Sequence, residues 1–295
     1  MIFAIINSPL FPCSRNHLFH ARKLGSGFSQ LGYRVIEINK IESVIDLQAN
    51  DLIYISNHFA EEFHLKPFRN LLSKKLLKII FKTKAKILFW ALHTVPNYEN
   101  YLSIDNLYPT GESFLLKSEI NSNDDLKKVN SEKYIPLRFG SPINPIFGKK
   151  NIYYERIYSC NYVGSRYSLD YVEFLKKCEL NTFVHVYPPI CDEVKRINSY
   201  FLSKSSLCMF SKLHKKRGAF TERLPEALSA GCIVLHNSKK LNLKKIDQSV
   251  LRYFSNKNEL YKQLLEIESY SRLDILSLIE LSFNLYIENR LSYKD

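Results

Sequence analysis

The chain has 295 residues, 45% of them hydrophobic, with 19 Tyr, 19 Phe and a formal net charge of +13. That is ample apolar material for packed cores, and the length suits two domains better than one. The basic excess asks for anionic partners, while no apolar run approaches the roughly 20 residues of a membrane-spanning helix.

Taken in chain order, residues 2–6 form a short apolar run, 17–31 carry a helical pattern stopped by Gly32, and 33–38 alternate as a strand. A strand–helix–Gly–strand opening is a βαβ unit and predicts a parallel sheet. Residues 51–56 and 86–91 read as further buried strands, and each ends at polar residues: Asn57 and His58 after the first, His93 and Thr94 after the second. Ligands of open parallel sheets gather beyond the carboxyl ends of the strands. Asn7, Asn57, His58 and His93 therefore mark the working edge of the first domain. Residues 71–81, LLSKKLLKIIF, suit either a membrane-surface helix or a packed helix with its lysines turned outward. A polar excursion follows at 121–131, and the turn-rich stretch 140–145 is the linker.

Beyond the linker, residues 156–163 read as a strand, 169–177 as a helix and 182–187 as a strand, so a second βαβ series begins. Val163-Gly164-Ser165-Arg166 closes its first strand, with Gly164 allowing close approach and Arg166 supplying a charge. Residues 217–237, RGAFTERLPEALSAGCIVLHN, predict a loop, a helix from Leu224 to about Ala230, a stop at Gly231 and a buried strand over 232–235. Thr221 suits the helix cap, Pro225 the first turn and Gly231 the left-handed exit. This arrangement aims backbone N–H groups, a hydroxyl and the guanidinium groups of Arg217 and Arg223 at one point, where a phosphate fits. Glu222 and Glu226 lie beside that anion and need hydroxyls or arginines as partners. A nucleoside diphosphate satisfies both demands, with cations on the pyrophosphate and a carboxylate on the ribose diol. A long helical pattern over 271–289 ends the chain.

These residues resemble the donor-binding segment of GT-B glycosyltransferases. Glu226-Ala227-Leu228-Ser229-Ala230-Gly231 before an apolar strand is similar to their E-A-(L/M)-x-x-G pattern, and Thr221-Glu222-Arg223 resembles the T-E-(K/R) of the alpha-1,3-fucosyltransferase branch. Val163 to Arg166 resembles the V-G-x-(R/K) that opens the donor domain, and the helix-to-strand passage around Gly32 resembles the opening of the first. The retaining families carry a second glutamate eight residues before the E-A pair; Gly218 stands there in this chain, which leaves the anomeric outcome open. The resemblance implies an α/β protein of two Rossmann-like domains facing a central cleft. Residues 1–145 would form the acceptor domain, 146–270 the nucleotide-sugar donor domain, and 271–295 a helix returning to the first. It implies donor binding by Gly164, Arg166, Arg217, Thr221, Glu222, Arg223 and Glu226. A histidine at the position of His93 suits a general base or a hydrogen-bonding partner for sugar hydroxyls, with Asn7, Asn57 and His58 on the acceptor side.

The implied activity moves a sugar from a nucleoside diphosphate sugar to a glycan or lipid-linked acceptor, as in bacterial surface polysaccharide or lipopolysaccharide synthesis. No D-x-D triplet occurs, so the expected mechanism is metal-independent, with arginines neutralising the leaving diphosphate and no cofactor beyond the donor co-substrate. His17 and His20 could share a helix face but lack further metal ligands. Six scattered cysteines without a C-x-x-C pair, and an amino terminus without signal-peptide features, suit the cytoplasm, peripheral to the anionic inner membrane face. Two rival classes fit the same residues: a non-catalytic nucleotide-sugar-binding protein, and a basic nucleic-acid-binding α/β protein. The latter lacks a zinc finger, an RNP-like aromatic motif or a basic tail, so nucleic acid is not an expected partner.

Overall fold

The computed structural model describes residues 1–6, 15–56, 79, 82–91, 113–117, 134–136, 155–164, 169–186, 193–212, 215 and 220–291. The chain divides into two units, Met1–Arg138 with Lys294 and Phe139–Tyr293 with Asp295. That boundary lies a few residues before the one predicted. The turn-rich stretch 140–145, the basic stretch 71–81 (save residue 79) and the excursion 121–131 lie outside the described residues.

The first unit holds six parallel strands: β1 (Ile2–Ile6), β2 (Arg34–Ile38), β3 (Leu52–Ser56), β4 (Lys86–Ala91), β5 (Ser113–Lys117) and β6 (Tyr134–Pro136). Their order is β2-β1-β3-β4-β5-β6. β1 is apolar throughout because it is central; Phe3, Ala4 and Ile5 are wholly buried, as expected of a strand covered on both faces. Helix α1 (Arg15–Gln30) packs over β1 and β2, with Phe28 stacked on Phe3 at 4.4 Å between ring centroids. The Asp51 carboxylate accepts the Ile2 N–H at 2.7 Å and the Gln48 N–H at 2.9 Å, which ties the starts of β1 and β3 together.

The second unit has five parallel strands: β7 (Tyr158–Gly164), β8 (Thr182–Val186), β9 (Ser203–Cys208), β10 (Ile233–His236) and β11 (Leu251–Tyr253). Their order is β11-β10-β9-β7-β8. Counted from its own first strand, this sheet repeats the order of the first through its fifth strand: the second strand on one flank, the third, fourth and fifth on the other. Among the described residues five helices accompany it: α2 (Leu169–Lys177), α3 (Glu193–Phe201), α4 (Arg223–Ser229), α5 (Lys257–Ser269) and α6 (Arg272–Glu288). A capping box of Ser271 and Asp274 starts α6. The Ser282 hydroxyl donates to the Leu228 and Cys232 carbonyls at 3.2 and 3.0 Å, docking α6 on α4. By its packing the helix is counted with the second unit.

Strand β9, SKSSLC, is polar by sequence and central by position. Its serines satisfy themselves against backbone: Ser205 donates to the Ser159 carbonyl at 2.7 Å, and Ser203 to that of Ser199 at 2.5 Å. Arg156, just ahead of β7, donates to the carbonyls of Tyr200, Ser203 and Ala230 at 2.9, 2.9 and 2.7 Å. One buried guanidinium thus joins β7 to the α3–β9 connection and to the end of α4.

Helix α4 ends as predicted. Gly231 has φ +76°, the Gly231 N–H reaches the Leu228 carbonyl at 3.0 Å and the Cys232 N–H reaches that of Ala227 at 2.9 Å, the two bonds of a Schellman motif. A Cβ at Gly231 would meet the Ile279 Cγ2 at 2.7 Å. Gly231→Ala therefore adds left-handed strain to overpacking and is expected to destabilise the second unit by about 2–4 kcal/mol. Urea unfolding of the purified variant checks this; a midpoint equal to wild type rejects it.

Candidate functional site at the carboxyl edge of the second sheet

In the second sheet the chain moves from β7 outward to β8 and then back past β7 to β9. The strand order reverses at that point, and the adjoining carboxyl ends of β7 and β9 are where open α/β sheets of this topology bind ligands. The ends are Gly164 and Cys208, brought into line by the pairing of Asn161 with Ser206.

Gly164 is tightly enclosed. A Cβ there would lie 2.6 Å from Arg223 Nη1 and 2.7 Å from the Tyr162 hydroxyl. Only a glycine leaves room for the guanidinium to lie across the strand end. Burial works against the Arg223 charge, but Glu222, then Tyr162, Cys208 and Tyr200, outweigh it and hold the guanidinium more firmly protonated than usual. Arg223 as a residue is half-buried, its guanidinium packed over Gly164. It offers a fixed cation at the strand edge, suited to an anion.

Thr221 does not cap α4 as predicted. The helix starts at Arg223, Glu222 before it is already helical at φ −53° and ψ −22°, and the Glu222 side chain makes no capping bond. The reason is local: Leu224 N–H bonds the Thr221 carbonyl at 3.1 Å, so the backbone tightens one residue early. The Thr221 hydroxyl is buried and has no hydrogen-bond partner among the described residues.

Glu226 sits on the first turn of α4, 1% exposed, with one carboxylate oxygen 2.5 Å from the Arg196 Nη1 of α3. Arg196 is 2% exposed. The sequence reading did not single it out, although it carried a signal: Arg196, Ser199 and Tyr200 occupy one buried helix face at i, i+3 and i+4, and a cation in that stripe must have a partner. Tyr200 is fully buried, and its phenol finds no hydrogen bond among the described residues. Burial, and next the Glu226 charge, push that phenol well above its ordinary range.

At the neighbouring edge, the Asn237 side chain accepts from the Phe210 N–H at 2.8 Å and donates to the Phe210 carbonyl at 3.4 Å, joining the segments that leave β9 and β10. His236 ends β10, 5% exposed, between the rings of Phe210 and Tyr253. Burial pulls its pKa down to about 4. Of the predicted donor residues, the structure brings Gly164 and Arg223 together, buries Thr221 and Glu226 nearby and leaves Glu222 half-buried. Arg166 and Arg217, and the first-domain candidates Asn7, Asn57, His58 and His93, lie outside the described residues. Among the described residues no cluster of His, Cys, Asp or Glu could hold a metal ion, and no helix is long and apolar enough to cross a membrane.

No protein-family model matches the chain, and no curated protein matches it. Solved structures do. The T4 phage beta-glucosyltransferase is 14% identical, with 98% of this chain and 95% of that one covered and a TM-score of 0.55. A second structure, of the DNA-modifying beta-glucosyltransferase studied with and without its substrate uridine diphosphoglucose, is 15% identical, with 100% and 96% covered and a TM-score of 0.56. At these identities the likeness establishes the fold, and the fold is GT-B.

The His236 environment has a consequence for acid stability. The unfolded imidazole takes up a proton near pH 6.5, whereas the folded one resists protonation until about pH 4. Its contribution is complete above pH 6.5 and is lost as the pH falls from there to about 4, amounting to about 3 kcal/mol. His236→Gln should flatten the decline in unfolding free energy between pH 7 and 4.5. An unchanged slope in that variant would discard the assignment.

Proposed function

We propose that the protein is a glycosyltransferase that takes a sugar from a nucleoside diphosphate sugar, with the second unit binding the donor. The observation that carries this reading is the Arg223 guanidinium lying across Gly164 at the strand crossover of the second sheet. A diphosphate leaving group gains negative charge as the sugar departs, and a fixed cation at that oxygen favours the transition state over the ground state. Arg166 and Arg217 add charge in this proposal. Glu226 accepts the ribose hydroxyls, and Glu222 holds Arg223 in place. On the acceptor side, His93 takes the proton of the attacking hydroxyl, with Asn7, Asn57 and His58 shaping the pocket. Arginines neutralise the diphosphate in this scheme without calling on a metal.

For the acceptor we propose a glycan or lipid-linked sugar at an anionic membrane face, a partner with which the +13 charge agrees. A second acceptor class, DNA, is favoured by one comparison: the similar structures include a DNA-modifying enzyme. Lys239, Lys240, Lys244 and Lys245 are all exposed on the segment after β10, and such a row serves either anionic partner. Radiolabelled transfer to lipid-linked oligosaccharide and to duplex DNA, each at two salt concentrations, separates them. Label in DNA with a steep salt dependence would replace the glycan reading.

Uridine diphosphate is the probe for the donor site. Arg223→Ala should weaken its binding by roughly tenfold to a hundredfold, the loss of one charge-assisted hydrogen bond. Gly164→Ala should weaken it as well, because the added methyl displaces the guanidinium without removing it. Calorimetric affinities unchanged in both folded variants reject the phosphate assignment. Binding without donor hydrolysis or transfer would indicate a non-catalytic nucleotide-sugar-binding protein instead. His93→Ala should cut turnover strongly while leaving nucleotide affinity nearly intact; full activity in that variant removes His93 from the mechanism.

A further inference from the structure

The pair formed by Arg196 and Glu226 asks why two full charges are buried in so small a unit. Both are nearly inaccessible, at 2% and 1% exposure, and sit 2.5 Å apart. A buried ion pair is a weak source of stability, because desolvation of both ions offsets their attraction, and well-packed apolar residues often do as well or better. The framework around the pair is stiff. Ser199 donates to the Arg196 carbonyl at 2.7 Å and receives the Asn161 amide of β7 at 3.1 Å, so α3 is fastened to the sheet where Arg196 leaves it. On the other side, the Glu226 carbonyl takes the Ala230 N–H and the Ser229 hydroxyl, and its N–H meets the Glu222 carbonyl. The groups acting on this spot are the phenol of Tyr200, which feels Glu226, Arg196, Cys208 and Arg223, and His185 of β8, which feels Arg196.

We infer that Arg196 is a positioning residue of the nucleotide site, fixing the Glu226 carboxylate in one orientation to receive the ribose diol of the donor. This rests on the ribose reading of Glu226 given above. The chemistry explains the cost of the pair. A carboxylate close to a diphosphate is repelled by it, and an arginine behind the carboxylate compensates that charge. A bidentate-capable, planar cation also fixes direction in a way that a lysine ammonium does not. Preorganised acceptors discriminate sharply against a ligand lacking the matching hydroxyl, since the site's polar group is then left unpaired.

The test compares calorimetric affinities for uridine diphosphate, its 2′,3′-dideoxy analogue and uridine monophosphate in wild type, Arg196→Met and Arg196→Lys. Wild type should prefer the ribose form by about tenfold or more. In Arg196→Met that preference should collapse to within about twofold, while the preference for diphosphate over monophosphate, carried by Arg223, stays. Arg196→Lys should fall between the two. A merely structural role would lower both preferences together or neither. If folded Arg196→Met keeps the wild-type ribose preference, the inference is overturned while the ribose reading stands. If wild type itself shows no ribose preference, the ribose reading falls and takes the inference with it. Should Arg196→Met not fold, Arg196→Lys decides: an undiminished ribose preference overturns the proposal.

Discussion

A guanidinium taken out of water must find oxygen, and among the described residues of the second unit Arg156, Arg196 and Arg223 meet that constraint in three ways. Arg156 is bound by three backbone carbonyls and holds β7, the α3–β9 connection and α4 in register. Arg196 is met by a carboxylate on the neighbouring helix. Arg223 is half-buried, its charge supported by Glu222 and by nearby polar groups. The first is held at its two terminal nitrogens by neutral carbonyl dipoles and serves the fold. The second is neutralised in place. The third lies across Gly164 at the carboxyl end of β7, the edge at which open α/β sheets bind ligands.

The two sheets share a strand order, but their described residues are unequal in chemistry. Among the described residues of the first unit the buried charges are Lys23 on α1 and Asp51, whose carboxylate takes the N–H groups of Ile2 and Gln48 at the starting end of the strands. In the second unit the arginines and Glu226 lie on or beside the helices that flank the central strands. Repeating a topology therefore repeats the crevice without repeating its contents; function resides in the side chains placed there.

Much of this architecture was legible in the sequence because apolar periodicity and helix stops have direct physical causes. Strand β4 and helix α2 fall on the predicted residues 86–91 and 169–177, and Gly32 and Gly231 both adopt the positive φ that a helix stop calls for. Strand β9 was not legible. Its central position is concealed by its serines; the hydroxyls of Ser203 and Ser205 bury well only because particular carbonyls lie within reach, and reach is a property of the folded chain. Arg196 was missed for the same reason: its partner is 30 residues away on another helix. Thr221 was misread as a cap because capping preference speaks for an isolated helix end. Here the backbone closes its first turn on the Thr221 carbonyl instead, and the hydroxyl turns inward.

Gly164 shows how a short motif acquires meaning from a distant one. By sequence, the glycine after an apolar strand suggests a backbone that a ligand can approach closely. In the structure the space that a side chain would fill is already taken, by the Arg223 guanidinium from one direction and the Tyr162 phenol from the other. The glycine is required by the arginine as much as by any ligand. The V-G pair and the T-E-R triplet are thus two halves of one steric arrangement: the first clears the strand end, and the second lays a charge across it. A side chain at either place that ignored the other would break the arrangement, which is why neither segment read alone carries the specificity that the two carry together.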